Sequence, residues 1–156
     1  MQYSETVNKS SFSGVRSEGR IVAIDPGTKR VGVAVCDELR LVARPLPAIH
    51  RKSWKKLLTD VKTVIAKFDA AALVVGLPLN TDGSESSMST EARDLASKFS
   101  LSLDLPVILQ DERVTTYEAR GRLWENGVPL EETKKFVDSE AAAIILDDFL
   151  ELLRNT

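Results

Sequence analysis

Three carboxylates stand at positions in this 156-residue chain where chemistry is expected. Asp25 closes one short apolar run, and Glu112 follows another. Asp138 precedes three apolar residues at helical spacing, namely Ala142, Ile145 and Phe149. That spacing predicts that Asp138 opens a last helix, over residues 139–153, and lies on the stripe that faces the core. A carboxylate held against apolar packing is costly unless something positive compensates it.

Convergence of these three side chains would favour a bound cation. Like charges repel, and divalent ions such as Mg²⁺ or Mn²⁺ prefer oxygen ligands. Two such ions held roughly 4 Å apart can activate a water and stabilise the leaving oxygen when a phosphodiester is hydrolysed. We therefore predict that Asp25, Glu112 and Asp138 are both catalytic and metal-binding residues.

Each carboxylate also has a plainer interpretation. Asp25 could initiate an Asp-Pro-Gly turn, and Asp138 could be an ordinary helix N-cap. Glu112 could form a surface ion pair with the neighbouring Arg113. Each residue taken alone is weak evidence, and the prediction depends on all three lying at one end of the same sheet.

Basic and polar residues near these carboxylates predict a nucleic-acid surface. The formal net charge is −2, so such a surface must be a local patch. Lys29, Arg30 and Arg113 are the favoured phosphate contacts because their neighbours belong to the predicted site. Asn80 and Ser84 lie in a loop after another predicted strand and are expected to bind backbone or order water. A solvated protein surface is the alternative for any one of these residues.

Apolar periodicity predicts the elements that would position these residues. Short branched runs predict strands and 3.6-residue periodicity predicts helices, in the order β-β-β-α-β-α-β-α-α. The predicted strands cover residues 21–24, 31–35, 39–46, 71–75 and 105–109, and the predicted helices cover residues 51–68, 88–99, 115–124 and 139–153.

This order predicts an α/β fold with a mixed five-stranded sheet, three antiparallel strands then parallel ones, flanked by helices on both faces. Proline at positions 45 and 47 places the third strand at an edge. Ligands gather at the carboxyl ends of parallel strands, and Asp25, Gly76 and Glu112 each stand at such an end.

Four blocks of sequence resemble one known family. They are DPGTKRVGVAV from Asp25, VGLPLNTDGS from Val75, DERVTT from Asp111 and VDSEAAAIIL from Val137. In this order and spacing they resemble the YqgF/RuvX proteins, Holliday junction resolvases with a ribonuclease H-like fold. The resemblance covers about residues 19–153, and the family's acidic triad falls on Asp25, Glu112 and Asp138.

The resemblance implies a metal-dependent nuclease, with 5′ maturation of precursor 16S rRNA as the preferred role on family grounds and resolution of a four-way DNA junction as the alternative. Nothing in the residues chooses between the two substrates. A resolvase would have to be a dimer to cut two strands symmetrically, and monomer and homodimer both stay open. Two other classes are weighed: a non-catalytic nucleic-acid-binding module, and a phosphate-binding ATPase of the actin/Hsp70 type, which needs a second domain.

Composition limits the remaining possibilities. Residues 1–18 are polar and are expected to form a flexible tail, ahead of a nuclease domain over residues 19–156. No apolar run approaches the roughly 20 residues of a membrane span, and Cys36 is the one cysteine. We expect a cytoplasmic protein, with an organellar location left open.

Overall fold

The computed structural model describes residues 4–5, 14–80, 82–112 and 130–155. Within these residues a central sheet is flanked by helices on both faces. The strands are β1 (Ser4–Glu5), β2 (Val22–Pro26), β3 (Arg30–Cys36), β4 (Ala43–His50), β5 (Leu73–Pro78) and β6 (Val107–Glu112). The helices are α1 (Trp54–Phe68), α2 (Ser87–Ser102) and α3 (Leu130–Arg154).

The sheet has the mixed pattern that the sequence predicts. Its strand order is β1-β6-β5-β2-β3-β4. Strands β2, β3 and β4 pair antiparallel, whereas β5 pairs parallel with both β2 and β6. The predicted five-stranded arrangement is thus confirmed, with β4 at an edge. The two-residue strand β1 pairs parallel with β6 at the other edge of the sheet. The flexible tail expected over residues 1–18 stays a prediction.

The alternation of side chains along β3 divides the core into two layers. Val31, Val33 and Val35 belong to the core on the side of α1 and α2. Ala34 and Cys36 belong to the core that contains the apolar residues of α3. Because the strands are apolar on both faces, the sheet is covered on both sides. The small side chains on the second face let α3 approach the sheet closely.

Strand β4 begins at Ala43, so the predicted start at residue 39 is wrong. A tight turn occupies the preceding residues. The Asp37 carboxylate accepts hydrogen bonds from the backbone N–H groups of Leu39, Leu41 and Val42, and Arg40 adopts a left-handed backbone with φ of 58°. Local side-chain bonds of this kind compete with a strand ladder, which delays the start of β4.

The last helix begins earlier than the apolar pattern indicates. Helix α3 starts at Leu130, so the prediction that Asp138 opens it is wrong. Asp138 lies more than two turns inside α3, which excludes the helix N-cap interpretation of this residue. Residues 131–135 are all polar, so no continuous apolar stripe before Asp138 reveals this part of the helix. The predicted helix over residues 115–124 lies outside the described residues.

Helix α3 contacts β3 most closely at Gly32. A Cβ atom built on Gly32 would overlap the carbonyl group of Asp138 and lie 2.9 Å from the Ser139 backbone nitrogen. The buried Ser139 Oγ also accepts a hydrogen bond of 3.1 Å from the Val33 backbone N–H. Backbone therefore packs on backbone here, and this contact fixes where α3 crosses the sheet.

Among the described residues, no helix combines the length and the apolarity that a bilayer crossing requires.

Candidate active site

Two of the three predicted carboxylates meet over the central strand. Asp25 is the fourth residue of β2 and Glu112 the last of β6, and β5 lies between them. Along β2, Val22 and Ile24 face the first core layer and Ala23 the second, so Asp25 faces α3. The same alternation along β6, where Ile108 faces α3, places Glu112 on that face too.

Gly76 provides the space in which these side chains meet. It is the β5 residue that pairs with Gln110 and follows Val75, the partner of Ile24. A Cβ atom built on Gly76 would lie 2.9 Å from Glu112 Oε2 and 2.7 Å from Ile145 Cδ1. The missing side chain therefore lets the Glu112 carboxyl group lie across β5 towards Asp25.

Asp25 and Glu112 share a hydrogen bond in a poorly solvated setting. Burial is the main reason that the pKa of Asp25 rises to about 6 and that of Glu112 to about 10. The shared bond lowers the pKa of Asp25 and raises that of Glu112. Glu112 is therefore the proton donor in the bond and the Asp25 carboxylate accepts. At neutral pH the pair holds one proton.

Asp138 stands beside this pair and carries a counter-ion. Its negative charge raises the pKa of Asp25, which shows that the two groups interact. Arg30 Nε lies 3.1 Å from Asp138 Oδ2, and both side chains are partly exposed. Arg30 begins β3, and the Gly32 contact sets Asp138 opposite that strand. The structure therefore brings all three predicted carboxylates to one end of the sheet.

The donors at this end fit a hard divalent cation. Glu112 is 7% exposed and its Oε2 atom has no hydrogen-bond partner within the described residues. A buried acceptor without a partner is costly, and an oxygen-binding cation would satisfy it while displacing the shared proton. No three acidic, His or Cys side chains of the described residues are already grouped around one metal position. Asp138 is instead paired with Arg30.

The turn after Asp25 is held in place by Arg51. The Arg51 backbone N–H donates to the Lys29 carbonyl at 2.8 Å, and its Nη1 donates to the Gly27 carbonyl at 2.9 Å. Its guanidinium also forms an ion pair with Glu91 of α2. Lys29 is exposed in this turn. Arg51 thus links this turn, which presents Lys29 and Arg30, to the neighbouring helix α2.

The predicted polar loop closes on itself at the same end of the sheet. Asn80 Nδ2 donates to Ser84 Oγ at 2.9 Å, and the Asn80 N–H donates to the Ser84 carbonyl at 3.0 Å. The Asp82 carboxylate accepts from the Ser84 N–H at 2.8 Å. Asn80 and Ser84 therefore come together in one exposed turn after β5. Arg113, the remaining predicted contact, lies outside the described residues.

Three site residues are not identified by the sequence. The pattern marks Gly76 only as the end of a strand, although it creates the space for Glu112. Ser139 and Arg51 have no predicted role, although one anchors α3 and the other anchors the turn after Asp25. A glycine inside an apolar strand often marks a place where another group approaches the backbone closely, and this signal applies to Gly76. Ser139 is marked only by its position directly after Asp138.

Comparison with known sequences supports one family. A family model described as "RuvX: Holliday junction resolvase" matches residues 19–152. A protein of Syntrophus aciditrophicus (strain SB) named "Putative pre-16S rRNA nuclease" is 37% identical over 134 residues, covering 86% of this chain and 89% of that protein. A protein of the same name from Klebsiella pneumoniae (strain 342) is 37% identical over 133 residues, covering 85% of this chain and 96% of that one.

Solved structures share the fold. Thermus thermophilus RuvC in complex with a Holliday junction substrate aligns with a TM-score of 0.53 and 19% identity, covering 88% of this chain and 97% of that one. The fowlpox virus resolvase, in complex with Holliday junction DNA, aligns with a TM-score of 0.56 and 12% identity, covering 86% of this chain and 98% of that one. These likenesses confirm the ribonuclease H-like fold.

Gly76→Ala should displace the Glu112 carboxyl group while leaving the fold intact. The new methyl group meets only the ends of two flexible side chains, Glu112 and Ile145, so we expect the free energy of unfolding to fall by about 1–2 kcal/mol. Affinity for Mn²⁺, measured by calorimetry, should fall by about tenfold or more, since one ligand is moved.

The double variant Gly76→Ala/Ile145→Val separates the two contacts. Valine lacks the Cδ1 atom that the new methyl group would meet, so thermal stability should return towards that of the wild type while Mn²⁺ affinity stays low. Recovery of Mn²⁺ affinity together with stability would show that Gly76 serves packing alone.

Glu112→Gln should stabilise the metal-free protein at alkaline pH. In the folded wild type the Asp25 and Glu112 pKa values lie above their unfolded values. Folding therefore favours the protonated carboxyls, and stability is lost as pH rises from about 4.5 towards 10. With EDTA at pH 8, the variant's free energy of unfolding should exceed the wild type's by about 2 kcal/mol or more, since a tenfold change in proton affinity corresponds to about 1.4 kcal/mol.

The measurement is urea denaturation of both proteins at pH 5 and pH 8. The advantage of the variant should shrink at pH 5, because this pH is close to the ordinary pKa of a glutamate in the unfolded chain, and protonating Glu112 on folding then costs little free energy. An equal difference at both pH values would contradict the assignment of a buried, protonated Glu112.

Proposed function

This chain belongs to the RuvX family, and we propose from that membership and from the site that it is a divalent-metal-dependent nuclease, a hydrolase of phosphodiester bonds in structured nucleic acid. One observation carries the proposal. Buried Glu112 and partly buried Asp25 share a proton at the carboxyl ends of strands on either side of β5, with Asp138 close by. Clustered carboxylates with perturbed pKa values are typical of functional sites, and a bound cation would offset the cost of burying them.

We propose Asp25, Glu112 and Asp138 as the residues that would hold Mg²⁺ or Mn²⁺, with two ions as the expected number. When bound, such ions supply positive charge that activates a water and stabilises the leaving oxygen. To bind such an ion, Glu112 would have to release its proton to water, and Asp138 would have to turn from Arg30 towards the metal. Either ion suits a donor set made of carboxylate oxygens.

The surrounding residues would bind the substrate backbone. Lys29 is exposed in the turn that Arg51 anchors. Arg30 would become available to a phosphate if Asp138 turned to a metal ion. Asn80 and Ser84 present an exposed polar turn on the other side of Asp25, and Arg113 follows Glu112 directly. These contacts would orient the scissile phosphate over the carboxylates without reading base sequence.

We propose 5′ maturation of pre-16S rRNA as the reaction, because the curated relatives similar over most of this chain carry that name. Cleavage of four-way DNA junctions is the second candidate, and it is supported by the description of the family model and by the junction complexes among the structural neighbours. A cytoplasmic location stays a prediction.

The first experiment compares the wild type with Asp25→Asn on labelled precursor-rRNA fragments, single-stranded RNA and a four-way DNA junction. We expect Mg²⁺- or Mn²⁺-dependent cutting of the precursor by the wild type, and a loss of about 1,000-fold or more in rate in the variant, because it lacks one carboxylate ligand. EDTA should abolish the cutting.

Lys62→Gln is the control, because this exposed lysine lies in the middle of α1, on the opposite face of the sheet from α3. The cleavage rate of this variant should match that of the wild type. Faster cutting of the four-way junction than of the precursor would favour the resolvase alternative. Tight binding with no cutting under any metal condition would replace the proposal with a non-catalytic binding module.

A further inference from the structure

A cavity lies at the end of the sheet opposite the carboxylates. Its volume is about 540 Å³, within the range of ligand sites. The residues that line it stand just before β2, just after β3 and at the end of α1, and they include Arg16, Gly19, Arg20, Arg40, Phe68 and Asp69. Because β2 and β5 begin here, this end is the reverse of the one that carries Asp25 and Glu112.

Three cations surround the ring of Phe68 at this end. The charged groups of Arg20, Arg44 and Lys67 lie 5.9, 5.5 and 5.5 Å from the ring centroid. None of the three forms an ion pair with another described residue. The ring and the C-terminus of α1 offset part of this charge, but the cations still repel one another. A bound anion would relieve that repulsion.

Two further arginines fix the wall of the cavity through backbone carbonyls. Arg40 donates from Nε to the Gly19 carbonyl at 2.8 Å and from Nη2 to the Arg16 carbonyl at 2.6 Å. Arg16 Nη2 donates to the Asp69 carbonyl at 3.1 Å, and its ion pair with the exposed Asp69 carboxylate is long, at 3.8 Å. Each guanidinium has five N–H donors, so both keep donors available for a ligand.

This positive charge is local. The whole chain has a formal net charge of −2, yet five cationic side chains gather around Phe68 and the cavity, namely Arg16, Arg20, Arg40, Arg44 and Lys67. The cavity itself is lined by equal numbers of arginines and carboxylates, namely Arg16, Arg20 and Arg40 and the acidic Glu18, Glu38 and Asp69. The excess of positive charge comes from Arg44 and Lys67 beside Phe68. A concentrated positive patch on an acidic protein attracts polyanions.

We propose that the cavity and the cations around Phe68 together form a cationic pocket, defined here by Arg16, Arg20, Arg40, Arg44, Lys67 and Phe68, that binds backbone phosphates of the nucleic-acid substrate at a second point, away from the cleavage site. The inference rests on the proposed nuclease function. A strand of five or six residues separates the two ends of the sheet, which is about 15–20 Å. The preferred substrate must therefore extend several nucleotides beyond the cut, and a short fragment reaches only the carboxylates.

The test measures binding to a long and a short precursor-rRNA fragment, both containing the cleavage site, in an Asp25→Asn background. Arg44→Gln/Lys67→Gln removes two exposed cations of the pocket. Lys55→Gln/Lys62→Gln removes two exposed cations from α1 elsewhere and is the matched control. We expect the pocket variant to bind the long fragment about tenfold more weakly and with a salt slope smaller by about 2, since each phosphate contact contributes about 0.9.

Every variant should bind the short fragment with the same affinity as the protein that carries Asp25→Asn alone. Arg44→Lys/Lys67→Arg keeps both charges and should keep the affinity for the long fragment. An unchanged salt slope in the pocket variant, or an equal loss in the control variant, would overturn the proposal. Loss of binding to a free mononucleotide with unchanged binding of the long fragment would also overturn it, in favour of a nucleotide site.

Cleavage assays test the proposed nuclease function separately from the role of the pocket. With Asp25 intact, the pocket variant should cut the short fragment at the wild-type rate and the long fragment more slowly at low enzyme concentration. A wild type that cuts neither fragment would refute the nuclease, while the binding comparison would still decide the role of the pocket.

Discussion

The close contact between α3 and β3 at Gly32 is the constraint on which the rest of the site depends. No side chain fits between Gly32 and the Asp138 carbonyl group, and Ser139 binds the Val33 N–H beside it. This contact brings Asp138 to the end of the sheet where β2 and β6 already place Asp25 and Glu112. A helix held even a few ångströms further away would leave two carboxylates without the third, because side chains in packed interiors cannot stretch to compensate.

The metal-free site limits the cost of these charges in two ways. Asp25 and Glu112 share a proton, which spares the interior a second buried charge, and Arg30 neutralises Asp138 at the more exposed edge. Both arrangements are reversible, since a proton can leave and an arginine side chain can turn away. The same residues can therefore fold stably without a cation and bind one later, whereas three permanently ionised carboxylates would oppose folding.

The positions of the carboxylates are predictable because the ends of apolar runs mark the ends of strands and helical spacing marks the buried face of a helix. The predicted strand ends place Asp25 and Glu112 at one end of the sheet, and the spacing before Phe149 places Asp138 on the core-facing side of α3, although the predicted start of α3 is wrong. The neighbours of each group are not predictable. The space above Gly76, the bond from Val33 to Ser139 and the pairing of Arg30 with Asp138 depend on residues distant in sequence, and periodicity carries no information about which faces meet.

The central claim is that Asp25, Glu112 and Asp138 together hold a divalent cation. A crystal of the wild-type protein grown with Mn²⁺ and measured for anomalous scattering tests it most directly. The account predicts a Mn²⁺ peak bound by oxygen atoms of all three carboxylates, with Arg30 turned away from Asp138. A peak that leaves Glu112 still hydrogen-bonded to Asp25, or Mn²⁺ bound only at other places on the protein, would contradict it.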